Sequence, residues 1–190
     1  PRPISPYGAS KRAGEVAARE AFLRHGGVVA TEAGTAPAGP RLAIVRTAWL
    51  FGPPGNDFPA KILAAADRAR AAGEPLRVVG NEIGSPTYAP DLAEAIVELL
   101  AAGVPAGIHH VVNGGTVSRA GWARAVLAAA RSDVVVEEVP LATWVRPSAA
   151  PAWAVLEPTP LPGEPLRRWE AAMSDYVPLL LRGRAAGARR

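Results

Sequence analysis

Tyr7 and Lys11 stand at the two ends of Tyr7-Gly-Ala-Ser-Lys11, in a stretch whose composition suits a helix. Four residues apart on a helix, the two side chains share a face. A phenol titrates near ~10, too high to exchange protons easily at neutral pH. A fixed ammonium nearby stabilises the phenolate and draws that value down. A tyrosine so placed can give a proton to a developing alkoxide or take one from an alcohol. The same spacing also occurs on helices that do no chemistry, so the surrounding elements must decide.

Residues 6–25 read as a helix, with Pro6 suited to the first turn and Gly26-Gly27 as the stop. Residues 28–40 read as a loop or insertion. Leu42 to Thr47 is a short β-branched run, as expected of a strand buried on both faces. A second helix is expected over 58–72, a strand over 76–79, and a loop over Gly80 to Pro90. Asp91 sits where a cap is expected for the next helix, which stops at Gly103. Strands are expected at 108–112 and 134–139, with a helix capped by Ser118 running to about Ala130. Residues 140–165 are rich in proline and show no period. An amphipathic helix over 163–181 closes the ordered chain, and 181–190 form a basic tail.

Strands alternating with helices argue an α/β fold with a largely parallel sheet. No strand–GxGxxG–helix unit is present in the sequence. The Gly-rich half that cradles a dinucleotide in a doubly wound fold is therefore absent from these residues. The chain also opens at Pro1 without an initiator Met, which reads as a fragment. Removing the first half of such a sheet leaves a strand edge and apolar faces uncovered, so the 190 residues alone are expected to be poorly soluble or self-associating.

Composition narrows the chemistry. The 190 residues contain no Cys, which removes disulfides, zinc-thiolate sites, iron–sulfur clusters and thiol nucleophiles. With 49% hydrophobic residues, the chain has enough apolar content for a core. No apolar run approaches the ~20 residues of a membrane span, and no signal peptide opens the chain. Basic residues number 21 against 17 acidic, but Arg182, Arg184, Arg189 and Arg190 supply the whole excess. A solvated terminus explains that tail better than nucleic-acid binding. His25, His109 and His110 show no metal-ligand spacing. Trp122, Trp144, Trp153 and Trp169 read as packing residues.

The segment SPYGASKRAGE, residues 5–15, resembles the active-site helix of the extended short-chain dehydrogenase/reductase family. Further pieces follow in that family's order. Arg46-Thr-Ala-Trp-Leu-Phe-Gly52 is similar to the strand end and loop after this helix. Gly55-Asn-Asp-Phe58, Val78-Val-Gly-Asn-Glu-Ile-Gly-Ser-Pro-Thr87 with Asp91-Leu-Ala93, Arg146-Pro147-Ser148 and Trp169-Glu-Ala-Ala resemble pieces of its dTDP-4-dehydrorhamnose reductase branch. The resemblance covers nearly the whole chain but only about the C-terminal half of the family pattern.

The resemblance implies the C-terminal half of a Rossmann-like doubly wound parallel sheet. A small substrate-binding lobe would be interleaved over residues around 48–90 and 134–175, the whole spanning 1–180. It implies NADPH, or NADH, reducing the C4 ketone of dTDP-4-dehydro-L-rhamnose. Tyr7 would protonate the alkoxide, Lys11 would hold the nicotinamide ribose, and Thr47, Ala48 and Trp49 would lie beside the nicotinamide. Trp49, Asn56, Glu82, Thr87 and Arg146 would meet the sugar nucleotide. Each has a plainer reading: Trp49 in a core or interface, Asn56 as a helix cap, Glu82 on the surface, Thr87 closing a loop, Arg146 in a surface ion pair. Asn81-Glu82 departs from the branch's usual Asp-Gln and adds a carboxylate near an anionic ligand. The family's Ser/Thr partner of the tyrosine would precede Pro1. No metal-ligating residues are read in the sequence, which leaves metal dependence open; neither nucleic acid nor a membrane is expected as a partner, and the compartment expected is the cytoplasm. A homodimer of the full-length form is compatible with the resemblance. Two rivals stay open: another extended-family sugar-nucleotide epimerase or dehydratase, and a non-catalytic sugar-nucleotide-binding subunit.

Overall fold

The computed structural model describes residues 2–27, 41–103, 106–144, 148, 150–160 and 163–187. The expected loop at 28–40 and the Arg146-Pro147 segment lie outside the described residues. In chain order the elements are α1 (Pro6–Arg24), β1 (Ala43–Arg46), β2 (Leu50–Phe51), α2 (Phe58–Ala72), β3 (Leu76–Val79), β4 (Ile83–Gly84), β5 (Thr87–Tyr88), α3 (Ala89–Ala101), β6 (Gly107–His110), β7 (Val117–Ser118), α4 (Arg119–Ala129), β8 (Val136–Val139), β9 (Trp153–Ala154) and α5 (Trp169–Gly187).

The α/β expectation holds, with pairing that is mostly parallel and split into short units. β1 pairs with β6, β2 with β5, and β3 with β8, all parallel. β4 lies between β7, antiparallel, and β9, parallel. The loop expected over residues 80–90 thus contains two short strands, because its extended residues find partners far away in sequence. β1 is half-buried along its length. The full two-sided burial expected of it is not reached, since its described partner is β6 on one side and α1 above it buries no residue.

The buried core lies away from α1. Trp122, Ala120, Ala123 and Val126 of α4 have no exposed surface. They pack with Phe51 of β2, Ile62 and Leu63 of α2, Tyr88 of β5, and Met173, Tyr176 and Val177 of α5. Phe51 and Phe58 approach Trp122 with ring centroids at 5.6 and 4.6 Å. α4, placed by its sequence position between the two lobe segments, is therefore at the centre of the core that those segments build. Trp169 joins it, whereas Trp144 and Trp153 are exposed, which corrects the reading of all four tryptophans as packing residues.

Local chemistry explains the helix ends. Ser5 caps α1 by accepting a hydrogen bond from the Gly8 amide, and Ser118 caps α4 by accepting from Gly121. Gly73 closes α2 at φ +68°, where a residue with a Cβ would be strained. Asp91 is not the cap of α3: Tyr88 holds that place, and Asp91 lies in the first turn. There its charge complements the helix dipole and meets a polar hub. Arg167 grips its carboxylate through Nε and Nη2 at 2.9 and 3.0 Å. Asn113 donates to Asp91 at 2.7 Å and to the Arg167 carbonyl at 3.0 Å, and accepts from the Tyr88 amide at 2.7 Å. Arg167 also reaches Asp175 at 2.6 Å. These two carboxylates keep the Arg167 guanidinium far above its ordinary value.

Residues 163–168, expected as the start of α5, are not helical; they are held by this hub and by a bridge between Gly114 and Arg168. At its other end α5 runs on to Gly187, past the expected start of a tail, and Arg184 pairs with Asp67 of α2. Residues 157–159 run beside β6, where His110 and Thr159 exchange two hydrogen bonds at 2.9 and 3.0 Å. No described helix is long and apolar enough to cross a membrane. Replacing Asn113 with Ala strips the Tyr88 amide and the Asp91 carboxylate of a buried partner. It should lower unfolding stability by at least about 2 kcal/mol, read from the midpoint of a urea titration at constant slope.

Candidate functional site

The Tyr7–Lys11 pair forms as its spacing requires. Both side chains are on the exposed side of α1, with the Lys11 ammonium over the Tyr7 ring at 5.3 Å from its centroid. That is cation–π distance. One turn beyond Lys11, Glu15 takes a two-pronged hydrogen bond from Arg46, at 2.6 Å from Nε and 2.8 Å from Nη2. Arg12 adds a third contact at 3.3 Å. The Arg46 hydrogen bond outweighs the cost of partial burial and holds the Glu15 carboxyl below the usual carboxylate range. The same contact raises the Arg46 guanidinium above its ordinary value.

Arg46 ends β1, and Thr47, Ala48 and Trp49 follow it. The Thr47 hydroxyl is buried without a hydrogen-bond partner among the described residues. Trp49 has φ +43°, a conformation that costs a bulky residue about 1–3 kcal/mol and persists only where its surroundings enforce it. Here they do. The Trp49 carbonyl accepts from the Thr87 amide at 3.2 Å. Its ring lies parallel to Trp122 with centroids 5.6 Å apart, and the Arg119 guanidinium sits 3.6 Å from the ring centre. On β4, the backbone of Gly84 passes so close that a Cβ there would overlap the indole ring. The Trp49 ring is thus part of a packed aromatic group, yet half-buried.

Glu82 is buried, which corrects its reading as a surface residue. Its Oε1 accepts from Arg119 Nε at 3.0 Å, and its carbonyl accepts from the Arg119 amide at 3.0 Å. The added carboxylate is thereby matched by a cation. Thr87 is fully buried in β5, its hydroxyl without a hydrogen-bond partner among the described residues. Arg119 thus joins Glu82 to Trp49, and Thr87 meets Trp49 through its backbone amide. Asn56 is exposed and does not cap α2. Asp57 does: Oδ1 accepts from the Ala60 amide at 3.0 Å, while Oδ2 accepts from the Gly52 amide at 2.8 Å and the Tyr176 hydroxyl at 2.6 Å. Burial, reinforced by Asp57, drives the Tyr176 hydroxyl far above its normal value, so it stays a donor. Arg146 lies outside the described residues.

Three contributors escaped the sequence reading. Glu15 was visible as the last residue of the helix motif, one turn after Lys11, but its partner is 31 positions away. Arg119 directly follows the capping Ser118, with no local sign that it would reach Trp49. Tyr176 anchors the loop before α2 from the far end of the chain.

Gly84→Ala should cost about 1–3 kcal/mol of stability by forcing the Trp49 ring aside. Trp49→Ala in the same chain should remove most of that penalty. Urea unfolding of the two single variants and the double variant measures the coupling.

A family model described as RmlD substrate binding domain matches residues 1–181. The dTDP-4-dehydrorhamnose reductase of Mycobacterium tuberculosis strain CDC 1551 is 36% identical over 191 residues, covering 93% of this chain and 56% of that protein. The crystal structure of dTDP-4-dehydrorhamnose reductase from Bacillus anthracis strain Ames, in complex with NADP, aligns with a TM-score of 0.73 at 28% identity, over 93% of this chain and 55% of that one. The Yersinia enterocolitica dTDP-4-dehydrorhamnose reductase aligns with a TM-score of 0.72 at 22% identity, over 95% and 58%, a likeness of fold alone. The chain spans little more than half the length of these relatives. Matched by that family model over nearly its whole length, the chain belongs to the RmlD substrate-binding-domain family.

Proposed function

We propose that these residues supply the proton-donating helix and the sugar-nucleotide lobe of an NADPH-dependent reductase acting on the C4 ketone of dTDP-4-dehydro-L-rhamnose. The observation that carries this reading is the pairing of Tyr7 with Lys11 on a helix tied by Glu15 and Arg46 to the segment that ends in Trp49. The names of the relatives support the substrate, and the NADP complex of the B. anthracis relative supports a nicotinamide cofactor.

The residues present fit such a cofactor. The Lys11 ammonium offers three donors to ribose hydroxyls, and the unpartnered Thr47 hydroxyl is a buried polar atom that a ligand beside it would satisfy. When bound, the reduced nicotinamide supplies a hydride to the carbonyl carbon. Tyr7 then donates its phenolic proton to the oxygen as negative charge grows there, and Lys11 stabilises the phenolate left behind. Trp49 would present an aromatic surface to the C–H side of the sugar. Glu82, neutralised by Arg119, would leave the lobe free of an unmatched carboxylate beside a diphosphate.

The discriminating substitution is Tyr7→Phe in the natural polypeptide that carries these residues. NADPH oxidation with dTDP-4-dehydro-L-rhamnose should fall at least about 100-fold, while affinity for the sugar nucleotide stays within a few-fold. Unchanged turnover would remove Tyr7 from the chemistry. A protein that binds the sugar nucleotide equally well before and after the change, with no turnover in either form, would be a binding subunit.

A further inference from the structure

α1 carries the Tyr7–Lys11 pair, yet none of its residues is buried. Packing among the described residues therefore does little to fix where that pair lies. Its hydrogen bonds are local, within the helix and its caps, with one exception among the described residues: the Glu15–Arg46 contact. That contact has the properties of a joint. The guanidinium fork engages both carboxylate oxygens, which sets direction as well as distance. The Glu15 side chain is 14% exposed and that of Arg46 27%, so solvent screens the pair less than an ordinary surface ion pair. At one end Glu15 is a single turn from Lys11 and two from Tyr7. At the other, Arg46 directly precedes Thr47-Ala48-Trp49, and Trp49 is locked into the core by Trp122, Gly84 and Thr87.

We propose that Glu15 and Arg46 are positioning residues: their ion pair fixes the Tyr7–Lys11 face of α1 against the Trp49 segment, and through that distance sets the rate of proton delivery. Neither residue touches the reacting atoms. The catalytic consequence rests on the reductase reading above; the geometric claim does not. A neutral amide at position 15 keeps a hydrogen-bond acceptor but loses the charge and half the fork. α1 then swings on its N-terminal connection, and Tyr7 samples positions from which it cannot reach the ketone oxygen. A displacement of about 1 Å at a reacting group is enough to cost on the order of 100-fold in rate.

The test uses the natural polypeptide carrying these residues and reads geometry and turnover separately. Nitroxide labels go on Ser10→Cys, exposed on α1, and Leu50→Cys, half exposed beside Trp49. These residues contain no cysteine of their own to compete for the label. Electron–electron distance measurement should give a narrow distribution in the labelled parent. Glu15→Gln should broaden it and, in the unlabelled protein, lower kcat about 10- to 100-fold with KM for the sugar nucleotide within about threefold. Arg46→Lys, which keeps the charge and loses the fork, should lie between. Exchanging the charges, Glu15→Arg with Arg46→Glu, should narrow the distribution again and recover part of kcat. A distribution as narrow in Glu15→Gln as in the parent overturns the proposal, and so does a broadened one with kcat unchanged, since the pair would then be a staple without bearing on the chemistry. If the parent oxidises no NADPH but Glu15→Gln still broadens the distribution, the reductase reading fails and the geometric claim stands.

Discussion

Trp122 has no exposed surface, and the site loop takes its shape from what surrounds that indole. Trp49 lies parallel to it, Phe51 meets it edge-on and Phe58 stacks near it, so β2, the turn into α2 and the end of the β1 loop all converge on one ring of α4. Aromatic pairs at these separations add about 0.5–1.5 kcal/mol each beyond the area they bury. That sum can offset the backbone cost of Trp49 at φ +43°. The strain is thus a property of the core as much as of the loop. Gly84 completes the arrangement by withholding a side chain where the indole needs room.

Polar contacts then join what the aromatic cluster cannot reach. Asn113 and Arg167 bind the first turn of α3, the end of β5 and the entry to α5 into one hub around the Asp91 carboxylate. Asp57 does similar work with fewer atoms: one carboxylate caps α2, closes the Gly52 turn and takes the Tyr176 hydroxyl from α5. In both cases a buried or half-buried carboxylate is acceptable because every oxygen has a donor. Each hub also ties segments more than 50 positions apart, so it supplies long-range order that short parallel strands, needing distant partners, give only sparingly.

How much of this was legible in sequence divides along the same line. Helices announced themselves through local chemistry: Pro6 marked the first turn of α1, Ser118 caps α4 where it was expected to, and Gly73 and Gly103 stop their helices at positive φ. The Tyr7–Lys11 pair is equally local and came together as its spacing required. Errors arose where a tertiary partner outbid a local cue. Asn56 was a reasonable cap, but Asp57 wins because its second oxygen also serves Gly52 and Tyr176. Residues 163–168 carry a helical pattern, yet Arg167 is taken by the hub around Asp91 and the helix starts only at Trp169. Glu82 was expected to meet the sugar nucleotide, with a surface position as the plainer reading, and nothing nearby in sequence hinted at Arg119, 37 positions on. The helix α5 outran its expected end, and Arg184, counted as tail, found Asp67 instead.

The molecule therefore has two mechanical regimes. Trp49, Glu82 and Thr87 sit in or against a dense core, where a small change of volume is felt as strain. Among the described residues, Tyr7 and Lys11 ride on a helix with no buried face and few ties. The proposed reduction, with a proton delivered to one atom of a bound sugar, asks for the opposite of looseness at the donor, so precision from outside the helix serves it. Ion pairs suit that task at a partly wet boundary, where little apolar area is on offer, provided the geometry is bidentate and solvent is partly excluded. The Glu15–Arg46 contact meets both conditions, and it does so at the residue from which the chain enters the rigid Trp49 loop. On the proposed reading, rigidity is passed from the aromatic core, along four residues of backbone, to a helix that gains little from the other described residues.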